Sequence, residues 1–156
     1  MHEVNVSAHD VARNGGSEVR TLVTVFEPKG SFLAAGGTIE TAGQRATFGV
    51  VASYRRGSLH PLGRTELRFL SADLDFRSRT ARLRHLAGPE ARLTGTGILN
   101  GVGHYGFEVT LRDGHRSLDG GLDGLRLRIW NLEDGKVVYT SRDFVPLVSG
   151  SLVIRD

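Results

Sequence analysis

The feature that most constrains this chain is an alternation of apolar and polar side chains with a period of two residues. The segment YGFEVTLR places apolar residues at every second position: Tyr105, Phe107, Val109 and Leu111. Successive side chains of a β-strand point to opposite faces, so this row predicts a strand with one face toward a core. Similar runs predict about ten strands and almost no helix. They cover residues 19–26, 47–54, 66–70, 74–76, 81–85, 93–99, 105–111, 125–130, 137–140 and 152–154, with a short opening strand at residues 4–6.

Glycine-rich turn signals separate these runs. Asn-Gly and Asp-Gly pairs tolerate positive φ and favour tight hairpins whose twist matches the flanking strands. Short strands with such punctuation predict an all-β fold, which we interpret as an antiparallel two-sheet sandwich of the immunoglobulin-like or jelly-roll type. The signals include Asn14-Gly15-Gly16, Pro28-Lys29-Gly30, Gly36-Gly37, Arg56-Gly57, Gly88-Pro89, Asn100-Gly101, Asp113-Gly114, Asp119-Gly120-Gly121 and Asp134-Gly135.

The length of 156 residues suits a single domain. We expect one domain over residues 1–156, in which residues 1–35 add N-terminal strands to a module at residues 36–156. Alternation within the runs selects the apolar residues of a core. The predicted core holds Leu22, Val25, Phe48, Val50, Leu67, Phe69, Leu83, Tyr105, Phe107, Val109, Leu127, Ile129 and Val138.

Glycines are dense between Leu93 and Gly114, which raises the alternative of a phosphate-binding loop. Such a loop needs a helix start behind it, so that backbone N–H groups converge on the anion. No helical pattern follows Gly103, and the segment has no Lys-Ser or Lys-Thr pair. We therefore interpret its glycines as a strand end and a hairpin.

Composition and charge exclude several classes of protein. The chain has no Cys, which excludes disulfides and thiolate metal sites. The sequence lacks the basic start and following apolar stretch of a signal peptide. No apolar run approaches the ~20 residues of a membrane span. The net charge of +3 is modest and the Arg residues are scattered. We therefore expect no nucleic-acid partner and no membrane insertion.

Residues 36–156 of the chain resemble a known β-rich module. The matching positions are Gly95-Thr96-Gly97, Asn100-Gly101, Gly103, Tyr105, Phe107, Asp113-Gly114, Asp123, Arg126, Ile129-Trp130 and Val137-Val138-Tyr139, with GGTIETAGQRATFG upstream. This pattern is similar to that of the post-choice-of-anchor-A domain of bacterial exported and surface proteins. The likeness spans about Gly36 to Asp156 and departs at Leu125, where the pattern prefers Phe, and in the Asp119-Gly120-Gly121 loop.

The resemblance implies an all-β module of an extracellular or cell-surface bacterial protein. Modules of this kind are presumed to support display, adhesion or assembly, and no binding residues carry over from them. An exported chain of this type would be a mature form or a fragment of a longer protein.

One group of acidic residues suggests a calcium site. Asp113, Asp119 and Asp123 lie among glycines, whose turns let backbone carbonyls join carboxylates around Ca²⁺. Their spacing is not that of an EF-hand loop. The alternative is that these side chains form Asx turns and bond their own backbone. Calcium is the one cofactor that the sequence suggests.

A second candidate site is aromatic and basic. Trp130 is the only tryptophan, and alternation places it on the same strand face as Arg126 and Arg128. An indole ring can stack on a sugar while Arg binds the sugar hydroxyls, which predicts a glycan platform. The alternative is an aromatic side chain that covers the open end of the sandwich with Arg stacked on it. Arg82 and Arg84 would form a second outer stripe, and such stripes also oppose edge-to-edge aggregation.

Catalysis has weaker support. A hydrolase needs two carboxyl groups that face each other across a cleft, and alternation places most candidates on outer faces. The candidate acids are Glu66, Asp73, Asp75, Glu108 and Asp143. The six histidines lack zinc-ligand spacing, and the G-x-S-x-G nucleophile motif is absent.

The sequence therefore favours a non-catalytic structural or interaction module with protein partners. It could self-associate by pairing edge strands such as residues 4–7 or 152–155. A carbohydrate-binding module that uses Trp130, and a hydrolase with unrecognised carboxylates, stay open as alternatives.

Overall fold

The computed structural model describes residues 2–6, 19–23, 32–41, 43–53, 66–71, 73–118, 120–141 and 143–155, the backbone alone at 2–6, 19–23, 66 and 67. The described residues form eleven strands and one 3₁₀ turn at Gly114–Arg116. No helix among them is long and apolar enough to cross a membrane. The strands are β1 His2–Val6, β2 Val19–Val23, β3 Phe32–Thr41, β4 Gln44–Ser53, β5 Glu66–Leu70, β6 Asp75–Ala87, β7 Glu90–Leu99, β8 Val102–Arg112, β9 Gly124–Asn131, β10 Val137–Thr140 and β11 Val145–Arg155.

Eight of these strands close into an antiparallel β-barrel. Strands β3 to β9 pair with their neighbours in chain order, and β11 then pairs with β3 to complete the ring. The pairing of β8 with β9 runs from Tyr105↔Asn131 to Arg112↔Gly124. The pairing of β9 with β11 has only two register pairs, Val145↔Leu125 and Pro146↔Gly124. Strand β10 is an additional strand on β9, and β1 and β2 form a separate two-stranded sheet.

The predicted all-β class with almost no helix is confirmed, but the predicted two-sheet sandwich is wrong. A sandwich and a barrel both bury one face of each strand, so the period of two residues is the same in both. The pairings that distinguish them join segments far apart in the sequence, such as Arg155↔Phe32 between β11 and β3. The extracellular and adhesive character that accompanied the sandwich prediction is likewise unsupported.

The barrel interior is filled by side chains. Phe76 and Phe107 meet edge to face with ring centroids 5.4 Å apart. Most of the predicted core residues that the structure describes are buried, namely Phe48, Val50, Phe69, Leu83, Phe107, Val109, Leu127 and Ile129, whereas Tyr105 is only partly buried against that core. Predicted core residue Val138 is instead 37% exposed on the additional strand. The predicted core side chains of Leu22, Val25 and Leu67 lie outside the described residues.

Three glycine predictions have different outcomes. Asn100 (φ 51°) and Gly101 (φ 82°) form the predicted tight hairpin between β7 and β8. Gly95, predicted at a strand end, instead lies inside β7 and faces the Phe107 ring. Gly36-Gly37, predicted as a turn, lies inside β3, where a Cβ atom at Gly37 would overlap the backbone oxygen of Ser149. Glycine inside a strand here permits close approach of a neighbour.

Candidate functional site

The outer wall of the barrel carries an aromatic and basic groove on strands β6 to β9. We call this surface the outer groove and define it by its lining, which consists of Gly95 and seven side chains: Thr80, Arg82, Arg84, Thr94, Thr96, Phe107 and Trp130. Its volume is about 310 Å³.

Trp130 sits on the outer face of β9, as predicted, beside the exposed Arg128 and half-buried itself. Its partner in the β8–β9 register is Gly106. A Cβ atom at Gly106 would lie 2.5 to 2.7 Å from three indole atoms. The missing side chain at Gly106 therefore makes room for the indole to lie against the barrel wall.

Cross-strand register brings the remaining groove residues to the tryptophan. One row across the four strands runs from Thr80 through Thr96 to Gly106 and Trp130. The next row contains Arg82, Thr94, Glu108 and Arg128. Directly opposite residues in antiparallel strands lie close enough for their side chains to interact. The stripe of Arg82 and Arg84 is thus confirmed on the same wall as Arg128, but two strands separate them.

An irregularity in β6 fixes the wall of the groove. The register between β6 and β7 shifts between Ser78 and Thr80. At this shift the Thr80 hydroxyl accepts a hydrogen bond from the Thr96 backbone N–H at 3.1 Å. It also forms a hydrogen bond with the Thr96 hydroxyl at 2.8 Å. Arg84 Nε donates to the Thr94 hydroxyl at 2.9 Å, which holds this guanidinium over the groove.

The groove and its edge carry an excess of positive charge, since Arg82 and Arg84 line the groove and Arg128 lies beside Trp130. Arg82, Arg84 and Arg128 are exposed, and none forms an ion pair with an acid in the described part of the chain. The Arg128 guanidinium carbon lies 5.4 Å from the centre of the Trp130 ring, within the range of a cation–π interaction. Glu108, opposite Arg128 in the register, is an acidic residue on the same wall.

Arg126, which was predicted to act with Trp130, belongs to a different cluster. Its guanidinium carbon lies 5.3 Å from the centre of the Phe144 ring, and that of Arg112 lies 4.1 Å from the same ring. Arg112 also forms an ion pair with Glu90 at 2.7 Å. The groove residues that the sequence did not reveal are the threonines of β6 and β7, because they meet Trp130 only through the barrel register.

Two of the predicted calcium ligands come together after β8, and Asp119 lies outside the described residues. One ligand atom each from Asp113, His115 and Asp123 lies within 4.8 Å of the others. Asp113 Oδ1 accepts hydrogen bonds from the backbone N–H groups of His115 and Arg116, and Asp123 Oδ1 accepts one from Gly114. The bond from His115 to Asp113 is that of an Asx turn, whereas the bond from Gly114 to Asp123 joins residues nine positions apart. Calcium binding stays a prediction.

One of the candidate hydrolase acids is engaged in ion pairs. Asp75 bonds Arg77 at 2.8 Å and lies 3.9 Å from Arg68, while the neighbouring Asp73 is exposed. The side chain of Glu66 lies outside the described residues. An absence of catalysis stays a prediction.

Together these observations define the class of the protein as a closed antiparallel β-barrel with an aromatic and basic groove on its outer wall. Comparison with known proteins finds no match: no family model matches the chain, nor does any curated protein or any solved structure. The likeness to the post-choice-of-anchor-A domain therefore stays a prediction.

Proposed function

We propose that this protein is a non-catalytic binding module whose outer groove holds an acidic glycan. The observation that carries the proposal is the seat of Trp130: the indole lies against Gly106, with Arg128 beside it. A flat, partly exposed ring held against a rigid wall can stack on the apolar face of a sugar at little cost in side-chain entropy.

The chemistry of the surrounding groove supports an acidic rather than a neutral sugar. The guanidinium groups of Arg82, Arg84 and Arg128 present planar sets of donors that fit carboxylate and sulfate oxygens. The threonine hydroxyls can bond sugar hydroxyls. Because the groove lies on strands and not on loops, its donors are already positioned before the ligand binds.

Self-association through edge strands is the other function that the sequence favours, and it stays a prediction. Residues 152–155 pair along one edge with β3. The Ile154 carbonyl accepts a hydrogen bond from Arg116 Nη1 at 2.6 Å. Residues 2–6 pair with β2, and Ser7 lies outside the described residues. The glycan proposal has the more specific support, because the residues of the outer groove all belong to one chain.

Titration of the fluorescence of Trp130, the only tryptophan, tests the glycan proposal. The probes are a heparin-derived hexasaccharide, an oligogalacturonate and the neutral maltohexaose. We expect the two acidic probes to quench the emission and the neutral one to have a weaker effect. Higher salt should weaken the acidic probes, because exposed charges are screened.

Three variants locate the binding. Arg84→Ala and Arg128→Ala should each weaken acidic probes by at least about fivefold, since each removes charge-assisted hydrogen bonds. Arg45→Ala is the matched control, because Arg45 is an exposed arginine on β4 near Glu40, outside the groove. Unchanged fluorescence across the panel would refute the proposal. Equal quenching by a single-stranded DNA oligomer would also refute it, by showing a site for any polyanion.

A further inference from the structure

A second cavity lies at one mouth of the barrel, on a different part of the molecule from the outer groove. It has a volume of about 330 Å³ and opens near the β3–β4 turn. Pockets for small molecules begin at about 300 Å³, and an engineered apolar cavity of about 150 Å³ suffices for benzene. The cavity is therefore large enough for a small ring with one or two substituents.

Apolar side chains line the inner part of this cavity. Ala46 and Phe69 belong to the buried core, and Leu99 packs against that core from the end of β7. Thr41 and Gln44, at the adjoining ends of β3 and β4, add polar atoms to the same lining. The combination of an apolar interior and a few polar groups is typical of small-molecule sites in barrel mouths.

Tyr139 is the central polar group of the cavity. It lies on β10, which pairs with β9 at Ile129, and its ring centroid lies 4.8 Å from that of Phe69. The phenol oxygen is buried, and no described residue is aligned to hydrogen-bond with it. Burial raises the pKa of Tyr139 above its ordinary value of 10.0, and weak hydrogen bonding by the Thr41 side chain to the phenol oxygen partly opposes this shift. At neutral pH the phenol keeps its proton and can donate.

A buried hydroxyl whose proton has no well-aligned acceptor costs free energy, which a ligand acceptor in the cavity would recover. The exposed carboxylate of Asp73, which also lines the cavity, disfavours an anion there. We infer that the barrel mouth binds a small, flat, uncharged molecule that carries a hydrogen-bond acceptor such as a carbonyl oxygen, with Tyr139 as the donor. Its ring packs between Phe69 and Leu99.

Acetophenone, ethylbenzene and benzoate test this inference, because they share a ring and differ in the acceptor and the charge. Each is titrated into the full ¹⁵N-labelled chain, and backbone amide shifts are followed by NMR. We expect acetophenone to shift the amides of Thr41, Gln44, Leu99 and Tyr139. Ethylbenzene and benzoate should bind more weakly than acetophenone.

Tyr139→Phe should weaken acetophenone by about three- to tenfold, the worth of one hydrogen bond, and should leave ethylbenzene unchanged. Tyr105→Phe is the matched control, because it makes the same chemical change on the inward row of β8, outside the cavity lining. The comparison among the three probes on the unaltered chain stays decisive if the Tyr139 variant folds poorly. Absence of mouth shifts at 10 mM acetophenone, or equal affinity for acetophenone and ethylbenzene, would overturn the inference.

Discussion

Substitution of Gly95 by Ala in the middle of β7 tests the packing seen in the barrel, because packing and strand propensity predict opposite changes in stability. A Gly→Ala exchange at a compatible site stabilises a protein by about 0.4–1 kcal/mol, because Ala has less conformational entropy to lose. Gly95 is not among the glycines with positive φ, so its backbone conformation is open to Ala. Propensity alone therefore predicts a gain in stability.

The surroundings of Gly95 predict a loss. A Cβ atom there would overlap the Thr80 carbonyl oxygen and would lie 2.8 Å from both Ala81 Cα and Phe107 Cε1. Two of these atoms are backbone and cannot rotate away, so β6 and β7 must separate by roughly 1 Å to restore an ordinary C···O contact. Overpacking costs about 1–3 kcal/mol, and a lost ladder hydrogen bond costs about 0.5–1.5 kcal/mol.

We therefore expect Gly95→Ala to lower the free energy of unfolding by about 2–4 kcal/mol and Tm by roughly 10 °C. Urea titration followed by far-ultraviolet circular dichroism measures the first quantity, and a thermal scan measures the second. Gly121→Ala is the control, because no atom lies within 4 Å of its Cβ position. It should be neutral or slightly stabilising. A Gly95→Ala protein as stable as the parent would refute the reasoning, and so would an equal loss in both variants.

Three further predictions follow from individual contacts. Ser141→Ala should lower the free energy of unfolding by about 1–3 kcal/mol in urea titration, because it leaves the Leu127 N–H, now bonded to Ser141 Oγ at 2.8 Å, without that acceptor. Above pH 10 the free energy of unfolding should fall more steeply with pH in the parent than in Tyr139→Phe. Because folding raises the pKa of Tyr139, the protonated phenol contributes its full stabilisation below pH 10.0, and this stabilisation is lost as pH rises through the pKa of the folded state. Gly106→Ala should push the Trp130 indole outward, seen as a red-shifted emission and stronger acrylamide quenching; an unchanged spectrum would contradict the seat described for the ring.

The sequence predicted the strands that alternate cleanly, together with the faces they bury. On β8 and β9 the outward Trp130 and the inward Phe107 and Ile129 are where alternation places them. These predictions succeed because the direction of a side chain depends only on its own strand. Asn100-Gly101 succeeded for the same reason, since a two-residue hairpin is a local choice.

The failures all concern distant segments. Strand β3 was missed because Gly36-Gly37 indicates a turn when the approach of β11 is unknown. Uninterrupted alternation in the predicted strand at residues 81–85 would place His85 on the same face as Leu83, but the register shifts between them and His85 is exposed. The outer groove could be predicted only in part, since Trp130 meets Thr80 across three strand pairings that no local pattern encodes.

The pairing of β3 with β11 determines when the barrel can close during synthesis. Phe32 and Arg155, at opposite ends of the described barrel strands, are partners in that pairing. As the chain emerges from the ribosome, hairpins can form in sequence from β3 onward. The sheet stays open until β11 emerges and pairs with β3. Barrel folds of such high contact order close slowly. During synthesis the nascent protein therefore carries an unpaired edge along β3, and this is the stage at which a chaperone would have the most to protect.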